Sequence, residues 1–234
     1  MSLQAQIADG VMTLCLNRPE RLNAIDEGAA RELLDALRHA HRTSEIRAVL
    51  LRGNGRSFCA GRDVSEAPTA EILALVQSVA TAMVECSKPI VIAVHGWVVG
   101  AGVEWMLDGD VVIAARSARF RLPEIELGVF VTGGITATLP RIAGLAAAKG
   151  MLLLGEEFSA EQAHRWGLVW SLVDDALLER EAERVARRLA SFDPEVVGRF
   201  KRVINEVSLA RFAASIDAET AMQNELMQMP TKPG

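Results

Sequence analysis

Tyrosine is absent from this 234-residue chain, aromatic residues make up only 5% of it, and its three cysteines, Cys15, Cys59 and Cys86, form no C-x-x-C pair. Each shortage removes a class of protein. An odd cysteine set without paired spacing is neither a disulfide framework nor a zinc site, so these residues read as buried thiols in a reducing compartment. The opening MSLQAQIADG lacks the positive n-region and apolar h-region of an export signal, and no run of about 18 uninterrupted apolar residues follows it. Together these absences predict a cytoplasmic protein that does not enter a membrane. A net charge of −5 supplies no overall basic surface, which argues against wholesale binding to nucleic acid or to anionic lipid. No P-loop and no G-x-S-x-G occurs, and a dinucleotide fingerprint starting at Gly100 fails because Trp105 stands where its last glycine belongs. His39 and His41 are two residues apart and point away from each other on a helix, so they make a poor metal pair.

What is present describes one ordinary globular unit: half the residues are hydrophobic and 24% charged, and no linker or low-complexity segment divides them. At this length a fold buries roughly 70–75% of its unfolded surface, enough for a core without staples. Alternation over Gln4–Ala8, a turn at Asp9-Gly10 and the run Val11–Leu16 predict a hairpin, closed by Asn17–Glu20. Asp26 is a plausible N-cap, with Ala30, Leu33, Leu34 and Leu37 following at helical spacing, and residues 47–52 read as a buried strand. A helix from about Thr69 to Cys86 and the strand Ile90–Val94 repeat the rhythm. After a glycine-punctuated turn come a short helix carrying Glu104 and strands at Val111–Ala115 and about Arg119–Leu122; everything beyond Gly133 reads as helical, with a capping box at Ser159 and Gln162.

Three segments could carry chemistry. His95–Glu104 leaves a buried strand and opens a helix, and the first amides of a helix have no internal partner and carry its positive dipole end, which suits an anion or a polarised carbonyl. Glu104, three residues past Ala101, projects from that first turn. In Arg119–Glu124, Glu124 follows a proline at a strand end, and Ser57–Asp63 is a small-residue turn whose amides could supply a second donor. Each has a bland alternative: Glu104 as a helix-start carboxylate, Glu124 as a solvated loop residue, Ala60-Gly61 as a mere connection.

In that order, these three segments resemble the crotonase superfamily, the enoyl-CoA hydratase and isomerase group. Further matching text is LNRPERLNAID at Leu16–Asp26, SKPIVIAVHG at Ser87–Gly96 and SAEQAHRWGLV at Ser159–Val169, within a resemblance that runs from Val11 to Asp175. The resemblance implies an α/β fold, a spiral of ββα units with a helical C-terminal region: one crotonase-like domain over 1–234, with its ββα core to about 175 and a helical part from about 176. It implies an acyl-CoA thioester as substrate, with no cofactor or metal beyond it, and assembly as a homotrimer or homohexamer. By motif match, the backbone amides of Arg62 and Ala101 form the oxyanion hole, where alanine stands in place of the glycine frequent in the family. Glu104 and Glu124 match the paired glutamates of the hydratases. CoA contacts fall on Arg21, Leu22 and Ala24, on Ala60, Asp63 and Val64, and on Gly100.

Two matching glutamates favour hydration of a 2-enoyl-CoA or its reverse. The alternatives are double-bond isomerisation centred on Glu124 and a non-catalytic acyl-CoA-binding subunit. The chain departs from the family text after Asp63, where a short loop predicts a more open pocket, and at Gly128–Ile135. It also departs at Met227–Gly234, roughly where relatives begin a last helix that caps the site, so the C-terminal region reads as shorter than usual.

Overall fold

The computed structural model describes residues 1–65 and 69–228. The chain opens with β1 (Leu3–Ala8) and β2 (Val11–Leu16), an antiparallel hairpin turned by Asp9 and Gly10, both at positive φ, as a two-residue turn of matching twist requires. Helix α1 (Glu27–Arg42) starts at Asp26, whose carboxylate accepts a hydrogen bond from the Ala29 amide at 2.7 Å. It buries the stripe Ala30, Leu33, Leu34 and Leu37. There follow β3 (Ala48–Gly53), α2 (Ala70–Glu85), β4 (Ile90–Val94), β5 (Trp97–Val99), α3 (Ala101–Leu107), β6 (Val111–Ala115), β7 (Arg119–Arg121) and the single turn α4 (Glu124–Leu127). Then come α5 (Ile135–Ala143), α6 (Leu145–Leu154), β8 (Phe158–Ser159), α7 (Ala160–Arg165), β9 (Ser171–Val173), α8 (Leu178–Ala190), α9 (Pro194–Ser208) and α10 (Phe212–Gln228).

Consecutive strands divide between two sheets. The larger has the order β1-β2-β3-β4-β6-β9, parallel throughout except for the opening hairpin, and the smaller the order β5-β7-β8. A chain that lays one strand in each sheet and then a helix, as β4-β5-α3 and β6-β7-α4 do, advances as a spiral of ββα units. The first unit joins the smaller sheet through one bridge, Cys59 to Val98. Both faces of the larger sheet are covered. One packs on α1, α2 and α3; the other, formed by Val11, Ala48, Leu50, Val91, Ala93, Ile113 and Ala115, packs on the small-residue stripe Ala182, Ala186 and Ala190 of α8. Strands buried on both sides must be apolar throughout, which is why β3 and β4 show no alternation.

The structure corrects the sequence reading in two places. The region beyond Gly133 is not helical throughout: β8 pairs with β7 and β9 extends the larger sheet beside β6. The glycine-punctuated turn after β4 also contains a strand, β5. Strands of two or three residues are too short to display a period, and their pairing is set by tertiary contact. The capping box at Ser159 and Gln162 is formed, and Cys15, Cys59 and Cys86 are buried, unpaired thiols, with burial pushing Cys59 up to about 12. His95 is held to the Gly55 carbonyl at 2.8 Å, and Trp105 lies in the core with its indole N–H on the Val76 carbonyl, whereas Trp170 is exposed. Among the described residues no helix is long and apolar enough to cross a membrane. Part of the short loop after Asp63, residues 66–68, and the terminal residues 229–234 lie outside the described residues.

Candidate active site

Three turns converge on one cavity of about 80 Å³. The first, residues 57–63, is laid against β5 by hydrogen bonds from the Cys59 amide to Trp97 O and from the Val99 amide to Cys59 O, at 3.1 and 2.9 Å. Gly61 sits at φ +84°, and a Cβ there would stand 2.8 Å from the Val99 carbonyl oxygen, so only glycine lets this turn close on β5. The same Cβ position is 3.7 Å from the Ala101 nitrogen, which brings the turn ending in Arg62 alongside the start of α3. Ala101 N–H is the first amide of α3 and therefore has no partner within the helix.

The second turn is Gly100 itself, at φ +51°. A Cβ on it would fall 2.6 Å from Oε1 of Glu124, so the absence of a side chain is what allows the carboxyl group to rest against the head of α3. Arg121 fixes this arrangement from both sides. Its carbonyl accepts from the Gly100 amide at 2.9 Å, while its guanidinium grips Glu126 with two bonds of 2.6 and 2.7 Å and Gly155 O at 2.8 Å, holding α4 in place. Glu124 is thus the first residue of a positioned helical turn, not a solvated loop residue.

The third turn, residues 129–134, closes the cavity over Glu104. The Thr132 amide donates to Glu104 Oε1 at 3.0 Å, and Gly133 packs so closely that a Cβ on it would meet Glu104 Oε2 and Cβ at 2.8 Å. Leu73 and Val76 of α2, Leu127, Val129, Phe130 and Gln223 complete an apolar wall with one amide in it.

The electrostatics of the cavity are unusual. Glu104 is 2% exposed, and among the described residues its Oε2 has no hydrogen-bond partner; Oε2 of Glu124 is likewise enclosed and without one there. Burial, then the neighbouring Glu124 and Glu219 carboxylates, raise the Glu104 acid well above the ordinary range, against the pull of the Thr132 and Gly133 amides. Glu124 is pushed up to about 7, chiefly by burial. Two carboxyl groups enclosed together cannot both be ionised cheaply, so they titrate as a pair that holds a proton near neutrality. Asp108, one turn along α3 from Glu104, is buried with both oxygens unpartnered and is raised by burial and by Glu104.

Seven of the residues expected from the sequence line this cavity: Ala60, Arg62, Val64, Gly100, Ala101, Glu104 and Glu124. Arg21, Leu22, Ala24 and Asp63 do not. Their segment is strapped to the first turn, with the Ala60 amide on Leu22 O, the Ile25 amide on Gly61 O and the Asp63 amide on Ile25 O, all within 3.0 Å. Asp63 accepts from Arg18 and Ser65, bonds that hold its carboxyl down at about 2, while Arg21 is exposed. Sequence reasoning missed Gln223, which lines the cavity from α10 and accepts the Phe130 amide, and the Thr132 amide. Neither has a local signature, because Gln223 is 93 residues from its partner and an amide is the same in every residue. Among the described residues no cluster of three or more His, Cys, Asp or Glu could hold a metal ion.

A larger cleft, about 870 Å³, lies elsewhere, between the end of α2 and helices α9 and α10. It contains neither glutamate of the pair.

A spiral of ββα units in two sheets, followed by a helical C-terminal region, defines a crotonase-fold protein. A family model for enoyl-CoA hydratase/isomerase matches residues 6–232, and the chain belongs to that family. It is 40% identical over 229 residues, 94% of this chain and 87% of the relative, to a 1,2-epoxyphenylacetyl-CoA isomerase of Escherichia coli K12. It is 32% identical to a 2,3-dehydroadipyl-CoA hydratase of the same organism, over 89% of this chain and 84% of the relative. Among solved structures, an enoyl-CoA hydratase of Mycobacterium avium subsp. paratuberculosis K-10 superposes with a TM-score of 0.94 at 30% identity, covering 98% of this chain and 95% of that one.

Proposed function

We propose that the protein is an enoyl-CoA hydratase, adding water reversibly across the 2,3 double bond of a 2-enoyl-CoA thioester. The observation that carries this reading is the pair of glutamates, each with an enclosed, unpartnered oxygen, on the one cavity that also receives the turns ending in Arg62 and Ala101. In the hydration direction the ionised carboxylate of the pair takes a proton from water as the water oxygen bonds to C3. The double-bond electrons move toward the thioester oxygen, giving an enolate, and the protonated carboxyl then delivers its proton to C2. The two oxygens without partners in the resting protein carry the lone pairs needed to hold that water. A proton shared near neutrality is what such a cycle needs, since each group must act as acid in one direction and base in the other.

The amides of Arg62 and Ala101 are the proposed oxyanion hole, with each such donor worth on the order of 3–4 kcal/mol of transition-state stabilisation. Ala60, Val64 and Gly100 are the proposed contacts to the thioester arm. Leu22, Ala24 and Asp63 shape that contact surface through the backbone, and Arg21 is exposed for the CoA phosphates. The reading includes no cofactor beyond the substrate's own CoA, a homotrimer or homohexamer, and a cytoplasmic location, each supported by family membership and not by the cavity itself.

A second reading, isomerisation with Glu124 as sole proton shuttle, is favoured by the 40% identity to an epoxyphenylacetyl-CoA isomerase. The test is the loss of conjugated enoyl-thioester ultraviolet absorbance across short, long and aromatic 2-enoyl-CoAs, with Glu104→Gln and Glu124→Gln as controls. Hydration predicts loss of absorbance that both substitutions abolish. Turnover that survives Glu104→Gln supports the isomerase, and thioester binding without turnover contradicts both.

A further inference from the structure

One turn of chain serves two acids. On its cavity side the Thr132 amide donates to Glu104 Oε1, and Gly133 packs on Glu104 Oε2. On its far side the Gly134 amide donates to Glu219 Oε2 at 2.7 Å and the Thr136 amide to Glu219 Oε1 at 2.9 Å, with the Thr136 hydroxyl adding a third bond of 2.7 Å. Glu219 belongs to α10, is 1% exposed and lines neither the cavity nor the large cleft. The register of the turn is fixed by Gly134, at φ +78°, where a Cβ would run into the Phe212 ring of the same helix at 2.3 Å. The Glu219 carboxyl group is buried, and the bonds that reach it from this turn all come from N–H and O–H donors.

We propose that Glu219 is a positioning residue for Glu104: from the far side of the shared turn 132–136 it holds the Glu104 carboxyl in place. This deepens the hydratase reading and rests on Glu104 being one of its two proton-transfer groups. The other groups facing Glu104 are Glu124 from α4 and Asp108 along its own helix, and Arg62 lines the same cavity. Lys201, on α9, acts on Asp108. The charged residues of α2, Glu71 and Glu85, are exposed, and Arg141 of α5 is turned to the Ser208 carbonyl; β5 has none. On α10, Asp217 and Glu225 are exposed. The raised proton affinity of Glu104, to which Glu219 contributes, agrees with the geometry.

The test needs no substrate. In pH-difference infrared spectra of the full-length protein, the band of a protonated, non-hydrated carboxyl is assigned to Glu104 by its loss in Glu104→Gln, which separates it from Asp108. In Glu219→Gln the midpoint of that band is expected to fall by about one pH unit or more. In Glu219→Asp, which keeps the charge, it stays within a few tenths of the wild-type value. A midpoint unmoved in folded Glu219→Gln overturns the proposal, and so does an equal fall in both variants. Where Glu219→Gln fails to fold, Thr136→Val removes one donor to Glu219 and is expected to raise the midpoint of the Glu104 band less than Glu219→Gln lowers it; no change of either sign also counts against the proposal. If the protein hydrates enoyl thioesters, the pH–kcat profile of Glu219→Gln is displaced to lower pH with KM unchanged, because Glu219 does not touch the cavity. Should the infrared midpoint move while no hydration is found, the positioning role stands and the hydratase reading falls.

Discussion

Two regions of this molecule bury charge, and they treat it oppositely. At the junction of α9 with the larger sheet, Lys201 is 7% exposed and each of its three ammonium protons has an acceptor: Met83 O, Lys88 O and Asp110 Oδ2, at 2.9, 3.2 and 2.8 Å. Asp110 in turn accepts the Ile90 amide at 2.7 Å. Around α3 the reverse holds, with enclosed oxygens of Glu104, Glu124 and Asp108 left without partners. A buried ammonium with every proton bonded locks elements together, whereas an unsatisfied buried carboxyl costs about 1–3 kcal/mol and persists only where something else selects it. The contrast separates architecture from chemistry within 234 residues.

The largest effects expected fall on rate at one region and on stability at the other. Glu104→Gln and Glu124→Gln are each expected to lower kcat for enoyl-thioester hydration by roughly 10²–10⁴-fold, as loss of a positioned acid or base does. Their thermal midpoints at pH 8 should equal or exceed that of the wild type, since either amide removes one of two enclosed acids that cannot both be ionised cheaply. A loss of stability in both would erase the distinction between the two regions. Lys201→Met should do the opposite. It removes the three bonds of a buried ammonium and is expected to cost about 1–3 kcal/mol in denaturant unfolding, while kcat per folded molecule changes little.

The smallest effect is a pH dependence that sharpens the comparison. Glu124 in the folded chain is raised from 4.5 to about 7, so the folded state keeps a proton that the unfolded state releases. The stability this confers is full below pH 4.5 and is lost as pH rises through about 7. The midpoint of thermal unfolding is expected to fall over that range by about 2–4 °C for each 1 kcal/mol lost, and the slope should flatten in Glu124→Gln. In Lys201→Met the slope should be retained.

How much of this was legible in the sequence follows the range of the interaction. The hairpin at Asp9-Gly10, the caps at Asp26 and Ser159, the apolar stripe of α1 and the continuous apolar runs of β3 and β4 are local patterns, and each forms where the pattern places it. Glu104 and Glu124 were legible because each sits beside punctuation, a glycine turn in one case and a proline in the other. Of the smaller sheet only β7 was, near Arg119–Leu122, since β5 and β8 owe their existence to partners outside their own few residues. The contribution of α10 was least visible. Glu219 and Gln223 lie in a helix of mixed polarity and reach turns 83 to 93 residues away, so nothing near them in the chain marks them as buried.

The most direct test of the account is the fate of the oxygen atom. Turnover of a 2-enoyl-CoA in water enriched in oxygen-18, followed by mass spectrometry of the acyl product, should show one solvent oxygen incorporated at C3, and none in Glu104→Gln or Glu124→Gln. A product that shifts its double bond without taking up the label, or labelled product at wild-type rate from either variant, would contradict the assignment of the paired glutamates to hydration.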